Sequence, residues 1–171
     1  VSTPSTRLCV LISGNGSNLQ AIIDNISAEK LDAEICGVIS NRPNAYGLTR
    51  AQEAGITAIS LDHMQHDSRE SYDKALQAEI ESLNPDYIVL AGFMRILTPE
   101  FVNTFSGKLV NIHPSLLPKY KGLNTHQQAI DNGYQEHCLI FNFLSPVIYF
   151  FLFIIHNHIP TYYYFTTLYF L

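Results

Sequence analysis

Leu8-Cys9-Val10-Leu11-Ile12-Ser13-Gly14-Asn15-Gly16-Ser17-Asn18-Leu19-Gln20-Ala21-Ile22-Ile23 changes its hydrophobic period halfway along. Arg7 to Ile12 is an apolar run of the kind that forms a strand buried on both faces. A turn with two glycines follows, and then Leu19, Ile22, Ile23 and Ile26 recur at helical spacing. The order is strand, loop, helix, and it repeats. Glu34 to Ser40 reads as a strand, Ala45 to Ala54 as a helix closed by Gly55, and Thr57 to Leu61 as a strand. Ser68 to Leu83 reads as a longer helix with Tyr72, Leu76, Ile80 and Leu83 on one face. Asn84-Pro85 stops it, Asp86 to Gly92 reads as another buried strand, Pro99 opens a short helix, and Lys108 to Ile112 is the next strand. Thr125 to Asn132 fits a further helix ended by Gly133. This alternation predicts an α/β fold, an open, mostly parallel sheet with right-handed crossovers and helices on both faces. In such sheets ligands gather at the carboxyl ends of the strands.

A chain of 171 residues can bury a single core without disulfides or metals. Its net charge of −5 and the lack of a Lys/Arg block argue against a nucleic-acid surface. Cys9, Cys36 and Cys138 are odd in number and scattered, with no CxxC spacing, so they read as reduced thiols of a cytoplasmic protein. Val1 to Arg7 contains no long apolar stretch of the secretory kind, which agrees with that compartment.

Three segments at predicted strand ends carry chemistry. Gly14-Asn15-Gly16 precedes a helix, where backbone N–H groups favour an anion such as a phosphate. A dinucleotide fingerprint would require a third glycine where Leu19 stands, and no acidic residue closes the second strand, so NAD is not expected. Taken alone, two glycines so spaced are in most proteins a plain tight turn. Phe93-Met94-Arg95-Ile96-Leu97 offers apolar side chains and one cation, suited to a flat heterocycle or to ordinary packing. Asn111-Ile112-His113-Pro114-Ser115-Leu116-Leu117-Pro118-Lys119-Tyr120-Lys121-Gly122 sets an amide and an imidazole two residues apart on an extended segment. Both can then donate to one developing oxyanion. By itself Asn-x-His also fits a strand end with a buried histidine. No Cys/His ligand set appears, so no metal is expected.

Together with Ser40-Asn41-Arg42-Pro43 and Ala91-Gly92, these strings resemble the formyltransferases that use 10-formyltetrahydrofolate, over about residues 8–137. Among those, the phosphoribosylglycinamide formyltransferases are the most similar. The resemblance implies a Rossmann-like sheet and formyl transfer to 5-phosphoribosylglycinamide in purine (IMP) biosynthesis. It implies that Gly16, Ser17 and Asn18 hold the substrate phosphate, and that Met94, Arg95, Ile96 and Leu97 form a folate wall with Arg69 and Asn111 beside it. Asn111 and His113 would be the catalytic pair, 10-formyltetrahydrofolate the cosubstrate, and no metal is implied. Methionyl-tRNA formyltransferase and formyltetrahydrofolate deformylase share the Asn-x-His core. The loop Gly14 to Asn18 and the segment Lys119 to Leu123 favour the ribosylglycinamide enzymes over them.

Beyond His137 the resemblance stops. The family holds its histidine charged and oriented with a later aspartate, and the aligned register here reaches Tyr149. Asn124 stands where the family commonly has histidine, while His126 is kept. From Leu139 to Leu171 there is no Asp, Glu, Lys or Arg, and twelve of the twenty Phe and Tyr residues lie there. The expectation is a truncated formyltransferase domain over 1–137 and an unrelated hydrophobic tail over 138–171, read from a shifted frame or noncoding sequence. Catalysis is expected to be impaired, the alternative being a non-catalytic remnant. Leu139 to Ile155 approaches the length of a membrane span, but Asn142, Ser145 and Pro146 interrupt it and no basic residue flanks it.

Overall fold

A computed structural model describes the backbone of residues 5–113, 136–143 and 149–156, and the side chains of residues 5–112. The elements run β1 (Thr6–Ile12), α1 (Ser17–Ser27), β2 (Ala33–Ser40), α2 (Tyr46–Glu53), β3 (Ala58–Ser60), a 3₁₀ turn (His63–Gln65), α3 (Arg69–Leu83), β4 (Tyr87–Ala91), α4 (Pro99–Thr104), β5 (Leu109–His113), β6 (Glu136–Phe143) and β7 (Tyr149–His156). One sheet holds all the described strands in the order β3-β2-β1-β4-β5-β6-β7. The first five are parallel, whereas β6 is antiparallel to β5 and β7 antiparallel to β6. The predicted α/β class with a mostly parallel sheet is the fold found. β6 runs across Cys138, where the composition changes, and the helix expected over Thr125 to Asn132 lies outside the described residues.

Strand alternation sorts the core into two layers, one on each face of the sheet. Cys9, Leu11, Ile39, Ile88, Leu90 and Leu109 pack with Tyr72, Leu76 and Ile80 of α3 and Phe101 of α4. Leu8, Val10, Ile12, Val38, Val89 and Ile112 pack with Leu19 of α1 and Ala51 of α2. Neighbouring residues of β1 thus serve opposite layers, which is why the run reads as continuously apolar.

Helix α3 illustrates how local chemistry builds an element. Ser68 Oγ accepts from the Ser71 N–H at 3.0 Å and Ser71 Oγ accepts from the Ser68 N–H at 3.2 Å, a reciprocal cap. Tyr72, Leu76 and Ile80 are fully buried, and burial of Leu76 and of Ile80 is worth about 1.5–3 kcal/mol each relative to exposure. Asn84, left-handed at φ +47°, ends the helix before Pro85. Sheet order places β1 between β2 and β4, so crossovers leave β1 in opposite directions and a cleft opens at the strands' carboxyl ends.

Candidate active site

The glycine loop is shaped by close approach. Gly16 has φ +77°, and a β-carbon on it would stand 2.7 Å from Gly47 Cα. Gly47 in turn donates its N–H to Gly14 O at 3.0 Å, so the start of α2 lies directly against the loop. Arg50, one turn further along α2, donates from Nε to Asn15 O (2.9 Å), from Nη2 to Asn15 Oδ1 (2.9 Å) and from Nη1 to Gln20 Oε1 (3.1 Å). Its guanidinium lies 4.9 Å from the centre of the Tyr46 ring. The first two bonds fix both backbone and side chain of Asn15 against α2, and the third ties the same guanidinium to α1. Gly16 is the N-cap of α1, which has no side-chain cap and no acidic residue in its first turn. Ser17 and Asn18 are the first helical residues, so their N–H groups belong to the unpaired set at the helix start.

The second wall follows β4. Gly92 turns the chain out of the sheet at φ +77°, and the Met94 N–H donates to Ser13 Oγ at 2.7 Å. At the far end of this segment, the Thr98 N–H donates to Asp73 Oδ2 of α3 at 2.7 Å. Between these ties Arg95 lies 4.5 Å from the centre of the buried Tyr72 ring, a cation–π contact. Burial pushes the Tyr72 hydroxyl well above its ordinary range, so it stays neutral beneath the cation. Leu97 packs into the core, whereas Met94 and Ile96 are 63% and 76% exposed. Residues 94–97 therefore form a held strip that presents two apolar side chains to solvent.

Asn111 is half-buried on β5, in register with Leu90 of β4, which pairs with Leu11 of β1. Asn111 and Leu11, which leads into the glycine loop, are thus two strand spacings apart, about 10 Å. His113 ends β5, in register with Ile140 of β6. Its side chain, and the stretch Pro114 to Gly122 with Asn124 and His126, lie outside the described residues. Arg69 is exposed at the first position of α3, one turn before Tyr72. Tyr149 begins β7, in register with Phe143.

An open cleft of about 860 Å³ lies on the β2 side of the glycine loop, lined by Ser13, Asn15, Arg42, Tyr46, Arg50 and His63 among others. Neither Asn111 nor residues 94–97 line it, so it is a neighbour of the predicted site and not its centre. Among the described residues no group of three or more His, Cys, Asp or Glu is arranged to hold a metal ion, and no helix is long and apolar enough to cross a membrane. Sequence reasoning missed Arg50, Ser13 and Asp73. Nothing in their local pattern marks them, because their partners lie 25 to 81 residues away.

A sequence profile of the formyl transferase family matches residues 6–145. Phosphoribosylglycinamide formyltransferase of Escherichia coli (strain K12) is 53% identical over 139 residues, covering 81% of this chain and 66% of that protein. The Homo sapiens trifunctional purine biosynthetic protein adenosine-3 is 46% identical over 127 residues, 74% of this chain and 13% of that protein. Among solved structures, the phosphoribosylglycinamide formyltransferase of Coxiella burnetii superposes with a TM-score of 0.77 at 49% identity, covering 84% of this chain and 67% of that one. The chain spans just under two thirds of the length of its E. coli relative. With the profile covering most of the chain and the same sheet recurring at about half identity, this protein belongs to the formyl transferase family.

Proposed function

We propose that the chain transfers a formyl group from 10-formyltetrahydrofolate to the amine of 5-phosphoribosylglycinamide, a step of purine (IMP) biosynthesis in the cytoplasm. The observation that carries this reading is the convergence, at the carboxyl ends of three adjacent strands, of an uncapped helix start, a held apolar strip and Asn111. The relatives named for this activity support it. Gly16, Ser17 and Asn18 take the phosphate: N–H groups at the start of α1 meet the anion without a competing carboxylate. Met94, Arg95, Ile96 and Leu97, with Arg69 and Asn111, take the folate. The exposed Met94 and Ile96 side chains suit a flat ring whose polar edge is met by backbone groups.

In the reaction the amine attacks the formyl carbon, a new C–N bond forms, and negative charge builds on the formyl oxygen. Asn111 donates an N–H to that oxygen. Protonated His113 donates a second hydrogen bond and delivers a proton to the departing folate nitrogen as the old C–N bond breaks, while the attacking nitrogen gives up one proton to water, so the protons balance. Each such donor is worth about 3–4 kcal/mol in the transition state. No metal takes part in this scheme. With Tyr149 where the family has aspartate, the charged form of His113 lacks its carboxylate, and the chain works slowly.

The test is absorbance-monitored or isotopic formyl transfer by the purified full chain, with Asn111→Ala and His113→Ala beside it. Transfer that both substitutions reduce at least 100-fold supports the reading. Calorimetric binding of both ligands without any turnover makes the chain a ligand-binding remnant, and binding of neither overturns the assignment.

A further inference from the structure

Ser13 is 3% exposed and Asn41 1% exposed, and they stand just past the ends of β1 and β2. Ser13 Oγ accepts the Met94 N–H at 2.7 Å and donates its own hydrogen to Asn41 Oδ1 at 2.5 Å. A hydroxyl has one hydrogen, and here Asn41 takes it, which leaves a lone pair aimed at Met94. Asn41 is held in its turn through its main chain: its backbone carbonyl oxygen lies 2.7 Å from His63 Nδ1 and accepts the His63 backbone N–H at 3.3 Å. The short contact assigns the ring hydrogen to Nδ1, since a carbonyl oxygen can only accept. A relay thus runs from the segment after β4, through the loop after β1, to the loop after β2 and the 3₁₀ turn beyond β3. Its links join positions 81, 28 and 22 residues apart. Without Ser13 the Met94 N–H, which lies past β4 and off the sheet ladder, would lose the protein acceptor that holds it in place.

We infer that Ser13 is a positioning residue, whose hydroxyl, oriented by Asn41, sets where residues 94–97 stand against the glycine loop. The inference rests on the reading of that segment as the folate wall, and it adds that the phosphate and folate sides of the cleft are joined through one side chain. Ser13 need not touch either ligand to govern the second one. Because donor and acceptor bonds of one hydroxyl reinforce each other, loss of the Asn41 link weakens the Met94 link as well.

Amide hydrogen exchange on the full chain tests the positioning independently of any ligand. In Ser13→Ala the Met94 N–H is expected to exchange at least tenfold faster, while the Thr98 N–H, held by Asp73 at the other end of the segment, keeps its rate within twofold. Asn41→Leu, which leaves the hydroxyl hydrogen without its acceptor, should produce a smaller acceleration at Met94, and the double variant should match Ser13→Ala alone. Unchanged Met94 exchange, or equal acceleration at Met94 and Thr98, overturns the inference. Calorimetry with 5,8-dideazafolate then reads the consequence: about tenfold weaker binding in Ser13→Ala, recovered in part by Ser13→Thr, with phosphoribosylglycinamide affinity changed less than threefold. Faster Met94 exchange with unaltered dideazafolate affinity would uphold the positioning role and overturn the folate-wall reading.

Discussion

A β-carbon at position 16 meets two obstacles at once, a left-handed φ of +77° and the Gly47 Cα at 2.7 Å. The first costs about 1–2 kcal/mol for an L-residue. The second adds to it, because a backbone atom cannot swing aside as the tip of a side chain does. Gly16→Ala should therefore lower urea-unfolding stability by more than 2 kcal/mol and weaken phosphoribosylglycinamide binding. Gly14→Ala, with open space around it and no positive φ, should change stability by less than about 1 kcal/mol. The buried thiols make a second residue-scale prediction. Burial, with Cys36 adding to it, pushes the Cys9 thiol far above its ordinary range, and burial also raises Cys36. The unfolded chain therefore loses these protons first. Stability contributed by the neutral Cys9 thiol is complete below about pH 8.5 and falls as pH rises above it, by up to about 1.4 kcal/mol per pH unit, while the less buried Cys36 acts in the same direction. Urea midpoints measured from pH 7 to 10 should show that fall, and Cys9→Ala should flatten it.

Helix α3 serves the core and the site with different faces of one element. Its cap is local: Ser68→Ala removes the acceptor of the Ser71 N–H and should cost about 1 kcal/mol of unfolding free energy. Asp73, 3% exposed on the same helix, reaches outward to the Thr98 N–H instead. Asp73→Ala leaves that buried donor without its partner, a loss of about 1–3 kcal/mol, and frees the distal end of residues 94–97. Calorimetry should then find weaker dideazafolate binding in Asp73→Ala, while Asp73→Asn, which keeps an oxygen acceptor, stays within about threefold of the unsubstituted chain. The α3 periodicity in the sequence announced Tyr72, Leu76 and Ile80 as its inner face, and they are the fully buried ones. The 3₁₀ turn at His63–Gln65 gave no comparable signal, since three residues are too few to show a period and its cap is a single Asp62 bond to the Met64 N–H.

At the scale of the whole molecule, the role proposed for His113 makes a prediction about the segment beyond β5. If the carboxylate that the family supplies is what keeps His113 charged, replacing residues 138–171 with a family-like C-terminal segment should raise steady-state formyl transfer far more than removing them does. His113→Ala should abolish the gain. Full family-like activity in the unsubstituted chain would mean that a different carboxylate serves His113. Sequence alone determined the parallel α/β order, the strands from β1 to β5, the inner faces of α1 and α3 and the strand-end positions of the glycine loop, residues 93–97 and Asn111. These depend on hydrophobic period, turn residues and caps, all of which act within a few residues along the chain. Tertiary structure alone decided that Gly47 abuts Gly16, that Arg50 clamps Asn15, and that Ser13 and Asp73 hold the two ends of residues 94–97. Such contacts depend on which strands become neighbours, and in a crossover sheet that order is set by the packing of helices on both faces, so the partners of a polar side chain cannot be read from the residues beside it.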